Sequence, residues 1–251
     1  QMGTSHNMAQ NFAKSYEIMY LSKEGRQEYC HTTSWGTSTR MIGGVIMVHG
    51  DDRGLVLPPR IAPYQAVIVP VAPHKEGVSE RAEALFRSLK AAGLRMKLDD
   101  SEQSAGWKFN QWEMKGVPVR IELGPKDIEK NQAVLVRRDT HEKTFVSLDG
   151  LADTLKALLD DIHCNMFNKA LENRESRTQD VRDFGAFMEA VKSGFARAPW
   201  CGDRECEDEI KAITGASTRC YTLDYDAGQH DDTCIFCNKK AKHLMYFGRA
   251  Y

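Results

Sequence analysis

From Tyr64 onward the chain switches repeatedly between short apolar runs and helical spacing, and this alternation narrows its possible folds more than any other feature. Ala66-Val67-Ile68-Val69 is a continuous apolar run of strand length, typical of a buried strand. Ala82, Leu85, Phe86 and Leu89 then recur at helical spacing, with Gly93 where a C-terminal cap belongs. Leu94 to Leu98 alternates, Val117 to Leu123 alternates with Pro118 at a strand start or edge, and Ala133 to Val136 is apolar again. A helix from about Leu151 to Leu171 closes the segment. Strands alternating with helices predict an α/β layer with a parallel or mixed sheet.

The flanks differ from this centre. Before it lie a short helical pattern, Asn11 to Tyr20, and an apolar run from Met41 to Val48 that is expected to be buried. Leu57-Pro58-Pro59-Arg60 is a rigid breaker and marks a domain junction. After the centre comes a cysteine-bearing tail. At 251 residues and 41% hydrophobic, the chain is long enough for roughly two domains with real cores.

Charge excludes a sequence-wide basic field: 34 Lys+Arg stand against 35 Asp+Glu, a net charge of -1. Any nucleic-acid binding must therefore be local. No apolar run has the length of a membrane span and no signal peptide opens the sequence, so a cytoplasmic protein without a membrane partner is expected. A start at Gln1 leads to the expectation of further sequence upstream.

Two constellations carry chemistry. In the stretch from Trp107 to Asp127, aromatics, cations and carboxylates interleave on a helix, a strand and a second helix start. Unstacked bases are held by aromatic or guanidinium planes and read at their edges. Arg120 and Lys126 can donate to a guanine carbonyl, and Glu113 and Asp127 can accept from its N–H groups. A solvated, charged α/β surface has the same composition. Gly124-Pro125-Lys126-Asp127 opens a helix, either as a simple cap or as amides facing a polar ligand.

In the tail, Cys201-Gly-Asp-Arg-Glu-Cys206 and Cys234-Ile-Phe-Cys237 form two knuckles separated by 27 residues. Four thiolates from two tight turns suit a tetrahedral structural Zn²⁺; disulfides and unpaired core thiols are the other uses. Cys30, Cys164 and Cys220 read as ordinary small core residues.

Taken in order, Thr4-Ser5-His6, Thr33-Ser34-Trp35-Gly36 through Arg40, His49-Gly50-Asp51-Asp52-Arg53-Gly54-Leu55-Val56-Leu57-Pro58-Pro59-Arg60, the Trp107 to Asp127 stretch and Phe247-Gly248-Arg249-Ala250-Tyr251 resemble the prolyl-tRNA synthetase family, archaeal and eukaryotic-like type. The resemblance spans the whole chain. It implies an α/β and α+β multidomain protein in three parts. Residues 1–62 would be the end of a class II synthetase catalytic domain, an antiparallel sheet with helices. Residues 63–174 would be a class IIa anticodon-binding domain with a mixed five-stranded sheet, and residues 175–251 a small α/β zinc-binding C-terminal domain.

It also implies roles. Gln1, Thr4, Ser38 and Arg40 would contact ATP, Gln1 through Mg²⁺, with Arg40 holding phosphate through a permanently charged donor fork. His6 would lie against L-proline, and Ser34 and Gly36 would wall its pocket; Arg40 and His6 are the residues expected to serve catalysis. Glu113, Arg120, Lys126 and Asp127 would read the two guanines common to proline anticodons, making tRNA(Pro) the partner. Cys201, Cys206, Cys234 and Cys237 would hold zinc, and the carboxylate of Tyr251 would reach back toward the active site. The family's motifs 1 and 2, the first of which forms a homodimer, are absent. The resemblance therefore implies a longer enzyme, the alternative being a non-catalytic tRNA- or RNA-binding module.

Overall fold

A computed structural model describes residues 2–222, 225 and 231–250. The chain divides into two compact units, 1–166 and 167–251.

The first unit begins with β1 (Gly3–Ala9), α1 (Asn11–Ser15), β2 (Met19–Leu21), β3 (Gln27–Tyr29), β4 (Thr32–Thr37) and α2 (Arg40–His49). β1 pairs antiparallel with β4, and β2 with β3, as two separate two-stranded ladders. The expected burial of Met41 to Val48 is overturned: the run forms α2, and Ile42 and Met47 are 64% and 76% exposed. A helix apolar around its whole circumference needs cover on every side. Among its described residues only Gly44 is fully buried, under the sulfur of Met2.

The rest of the first unit is β5 (Ala66–Pro70), α3 (Val78–Ala91), β6 (Met96–Leu98), α4 (Ala105–Met114), β7 (Val119–Leu123), α5 (Pro125–Glu129), β8 (Gln132–Arg137), β9 (Lys143–Ser147) and, as far as Met166, α6 (Leu151–Ser176). The five strands form one mixed sheet in the order β6-β5-β7-β8-β9, parallel at β6-β5-β7 and antiparallel beyond. Alternation decides which face is dry. Ile68, Val119, Ile121, Leu123 and Leu135 pack with Leu89 of α3 and Leu155, Leu159 and Ile162 of α6. On the opposite face Val67 and Val69 are covered by Trp112 and Phe109 of α4. Because α4 covers that face only in part, Arg120 and Glu122 of β7 remain half-buried there.

The loop 51–57 is clipped onto the end of α4 by two backbone bonds, Leu55 N–H to the Met114 carbonyl (3.0 Å) and Leu57 N–H to the Gly116 carbonyl (3.2 Å). Two glycines permit that approach. Gly54 (φ +127°) and Gly116 (φ +71°) would each bring a Cβ within 2.6 Å of the opposing backbone.

The second unit continues with β10 (Thr178–Asp180), α7 (Phe184–Ser193), β11 (Phe195–Trp200), α8 (Arg204–Thr214), β12 (Ala216–Tyr221) and β13 (His243–Arg249). Its sheet runs β10-β11-β13-β12, and Phe187 of α7 meets Phe247 of β13 edge to face at 5.1 Å. Cys201, Cys206 and Cys234 belong to the same buried cluster. Cys164 and Cys220 are exposed and Cys30 is half-buried, so these three are not core residues as the sequence suggested. Cys164 sits on an outward position of α6, and Cys220 on the less covered end of β12.

Candidate functional site

A cavity of about 230 Å³ opens where α4 leaves the sheet uncovered, and its lining includes Glu113, Arg120, Trp112, His141 and Lys143. The helix is fixed there by a buried polar cluster. Asp99 accepts from Trp112 Nε1 (2.6 Å) and from the Ser101 hydroxyl (2.6 Å), while Lys108 donates to the Asp99 carbonyl (3.0 Å). The Lys108 ammonium also lies 3.7 Å from the Asp99 carboxylate, although Lys108 is only 1% exposed. Burial pushes the Asp99 carboxyl up, but the bonds from Ser101 and Trp112 and the Lys108 charge outweigh it, and the group lies below the ordinary range. α4 can therefore present Phe109 and Glu113 in one orientation.

Phe109 stacks on Arg120, with the guanidinium 4.2 Å from the ring centroid, and Arg120 forks onto Glu122 at 3.0 and 2.9 Å. Glu113 accepts from Arg53 at 3.0 Å and has His141 3.8 Å away. Below it the buried Arg138 donates to both oxygens of Asp51 (2.7 and 2.6 Å) and to the Glu113 carbonyl (2.9 Å). The Arg138 guanidinium holds the Asp51 carboxyl far below the usual carboxylate range. Donors and acceptors thus converge on one cavity, and Arg120 on its wall is backed by the ring of Phe109.

Lys126 and Asp127 lie outside that lining, at the start of α5. Lys126 is exposed. The Asp127 carboxylate caps its own helix, accepting from the Gly124 amide at 3.0 Å and from the Gln132 side chain at 3.4 Å. Of the four residues taken from the sequence as base readers, the structure brings Glu113 and Arg120 together and puts the other two beyond the end of β7.

The N-terminal ladder assembles a different group. In its register Thr4 faces Gly36 and His6 faces Ser34. Directly opposed residues share a face and so do residues two apart, so all four lie in one two-by-two patch. A Cβ at Gly36 would meet nothing within 4 Å, leaving its backbone approachable from that side. The Ser38 amide donates to the Met2 carbonyl at 3.2 Å, and the Ser38 hydroxyl accepts from the amide of Arg40, the first residue of α2. Gln1 and Tyr251 lie outside the described residues.

In the second unit the thiols of Cys201, Cys206, Cys234 and Cys237 lie within 4.8 Å of one another. Cys201 follows β11, Cys206 stands in the first turn of α8, which is capped by Asp203, and the other two belong to one turn. Two sulfur pairs are 3.6 Å apart, Cys206 with Cys234 and Cys201 with Cys237. A tetrahedron with Zn–S bonds of about 2.3 Å has edges of roughly 3.8 Å, so the set fits a four-thiolate ion. Burial pushes the Cys201 and Cys206 thiols up. Burial also opposes ionisation of Cys234, yet the amides of Cys237, Phe236 and Cys201 bring it down to about 7.

Sequence reasoning missed Arg138, His141, Asp99 and Lys108. It also missed β9, whose alternation over Lys143 to Ser147 was a usable signal.

Two family models match the chain: "Anticodon binding domain" over residues 65–158 and "Prolyl-tRNA synthetase, C-terminal" over residues 184–251. Similar curated proteins include the proline–tRNA ligases of Clostridium botulinum and Ruminiclostridium cellulolyticum, each 53% identical over 253 aligned residues, and that of Clostridium novyi, 52% identical. In each case the whole of this chain is aligned, and it spans 52% of the relative's length. Among the described residues, no helix is long and apolar enough to cross a membrane.

Proposed function

Since the chain belongs to the prolyl-tRNA synthetase family, we propose that it serves the ATP-dependent attachment of proline to tRNA(Pro) in the cytoplasm, within a homodimeric enzyme. Residues 63–174 are its anticodon-binding part, residues 175–251 its zinc-stapled C-terminal part, and residues 1–62 the end of a class II catalytic domain. The observation that carries this reading is the cavity beneath α4, where an acceptor, Glu113, and a donor, Arg120, face one space beside a stacked aromatic ring. That set complements a guanine edge. Lys126 and Asp127 take the neighbouring guanine from the start of α5.

The reaction has two steps. A carboxylate oxygen of proline attacks the α-phosphorus of ATP, the bond to the β-phosphate oxygen breaks, and pyrophosphate leaves. A terminal ribose hydroxyl of the tRNA then attacks the prolyl carbonyl, losing its proton, and AMP leaves. Thr4 and Ser38, with Gln1, contact the nucleotide, and Arg40 offsets phosphate charge. His6, Ser34 and Gly36 wall the proline on the face that the ladder register gives them. Mg²⁺ bound with ATP would supply further charge stabilisation, with Gln1 as the residue near it. These groups act by positioning and electrostatics, with no covalent nucleophile.

Arg120→Ala and Glu113→Gln should each reduce the preference for the paired guanines by about 1–3 kcal/mol, measured as the ratio of affinities for cognate and guanine-swapped anticodon-loop RNA. Equal losses on both RNAs would show a phosphate or structural role and overturn the assignment.

A further inference from the structure

The strand register continues the cavity across the sheet to its edge. On the α4 side one row reads Val67, Arg120, Val136, Lys143 from β5 to β9, and the next reads Val69, Glu122, Val134, Phe145. The inner ends of both rows lie under Trp112 and Phe109. The outer ends do not: Phe145 is 65% exposed beside Val134, and Lys143 both lines the cavity and stands 3.6 Å from Glu122. β9 is the last strand of the sheet, so among the described residues no strand pairs beyond it. With Asp51 set against Arg138, and Asp139 and Asp161 against Arg137, the ion pairs around the cavity balance, and Lys143 is the cation that stands on the edge strand.

We propose that Lys143 and Phe145 form a further nucleotide subsite, in which the Phe145 ring stacks on an unstacked base adjacent to the guanine pair and the Lys143 ammonium meets the phosphate between them. This rests on the anticodon reading of the cavity and extends it by a non-specific neighbour. Two observations select single-stranded RNA as the occupant: the row is continuous with the cavity, and at its end an exposed aromatic ring shares the strand face with the Lys143 cation. Two inter-strand spacings put Lys143 roughly 10 Å from Arg120 across the sheet, a span for about one or two unstacked nucleotides. Stacking is indifferent to base identity, so this subsite would add affinity and set the path of the loop without adding sequence preference.

The test measures affinities of the full chain for the anticodon stem-loop of tRNA(Pro) by fluorescence anisotropy. The probes are the intact loop, the guanine-swapped loop, and loops in which the nucleotide on either side of the guanine pair is replaced by an abasic one. Phe145→Ala should weaken the intact loop by about 5- to 100-fold, and Phe145→Trp should retain binding. Against one of the abasic loops, Phe145→Ala and the unmodified chain should bind alike. Lys143→Ala should lower the slope of log affinity against log salt by about 0.7. Phe145→Ala within about twofold of the unmodified chain on the intact loop overturns the subsite, as does an equal loss on every abasic loop. If Arg120→Ala meanwhile loses guanine preference, only the subsite has failed. If neither variant changes anything, the anticodon reading falls with it. A change of sedimentation mass with unchanged RNA affinity would make the strand edge a protein contact and overturn the inference. Phe145 is exposed, so Phe145→Ala should melt like the unmodified chain, which separates a binding loss from misfolding.

Discussion

The five-stranded sheet of the first unit and the four-stranded sheet of the second close their cores by different means. The first sandwiches branched aliphatic side chains between strands and the long helices α3 and α6, and its cluster is wholly apolar. The second is smaller and fills part of its interior with three buried cysteines, whose thiols face one another instead of a hydrocarbon wall. Apolar burial contributes about 25 cal/mol per Å² whatever the solvent contains. A thiol cluster contributes fully only when a cation binds it. The first core should therefore be self-sufficient and the second conditional.

On the zinc reading proposed above, withdrawing the metal should produce the largest separation between the two. Chelation, or Cys234→Ser, should remove the cooperative melting of the second unit, since structural zinc supplies of order 10 kcal/mol in small domains. The first unit should keep its transition. Calorimetry with and without chelator reads both, and a second unit that melts unchanged without metal would erase the contrast.

The polar exception inside the first unit offers a smaller break. Asp99→Ala would strand the Lys108 ammonium in a buried site and should cost about 3–5 kcal/mol, read as a lower urea midpoint for the first unit alone. Asp99→Ala with Lys108→Met should recover most of that loss, because the pair would then be replaced by apolar bulk.

Acid should give the smallest effect. The folded Asp51 carboxyl is depressed, so the native state binds fewer protons than the unfolded chain, and stability present above pH ~4 is lost as pH falls toward the folded value. Asp51→Asn should flatten the acid limb of the first unit's melting profile. Partial exposure of Asp51 keeps this contribution modest. An unchanged limb would assign the acid response to Asp99 and Asp139, whose carboxyls are also held low.

Local patterns were legible in the sequence wherever neighbours along the chain cause the structure. The apolar run at Ala66 became β5, the helical spacing around Leu85 became α3, and the alternation at Val119 to Leu123 left Arg120 and Glu122 on the half-covered face. The cysteine knuckles converged because two tight turns bring four short side chains together. What escaped depends on distance. Arg138 meets Asp51 across 87 positions, and no periodicity encodes such a pair. Lys108 reads as a solvated cation because lysine is rarely buried unless paired, and its partner stands nine residues earlier across a loop. α2 misled for the opposite reason, since its composition is apolar but the described chain does not cover it.

The Asp51–Arg138 pair also decides where this protein can be recombined with others. Leu57-Pro58-Pro59-Arg60 looks like a natural seam, yet a graft beginning there would carry Arg138 away with its guanidinium still buried and its carboxylate left behind on the discarded side. The sheet is thus a transplantable part only together with the loop 51–54, which means that the useful unit of exchange starts upstream of the proline breaker, near His49.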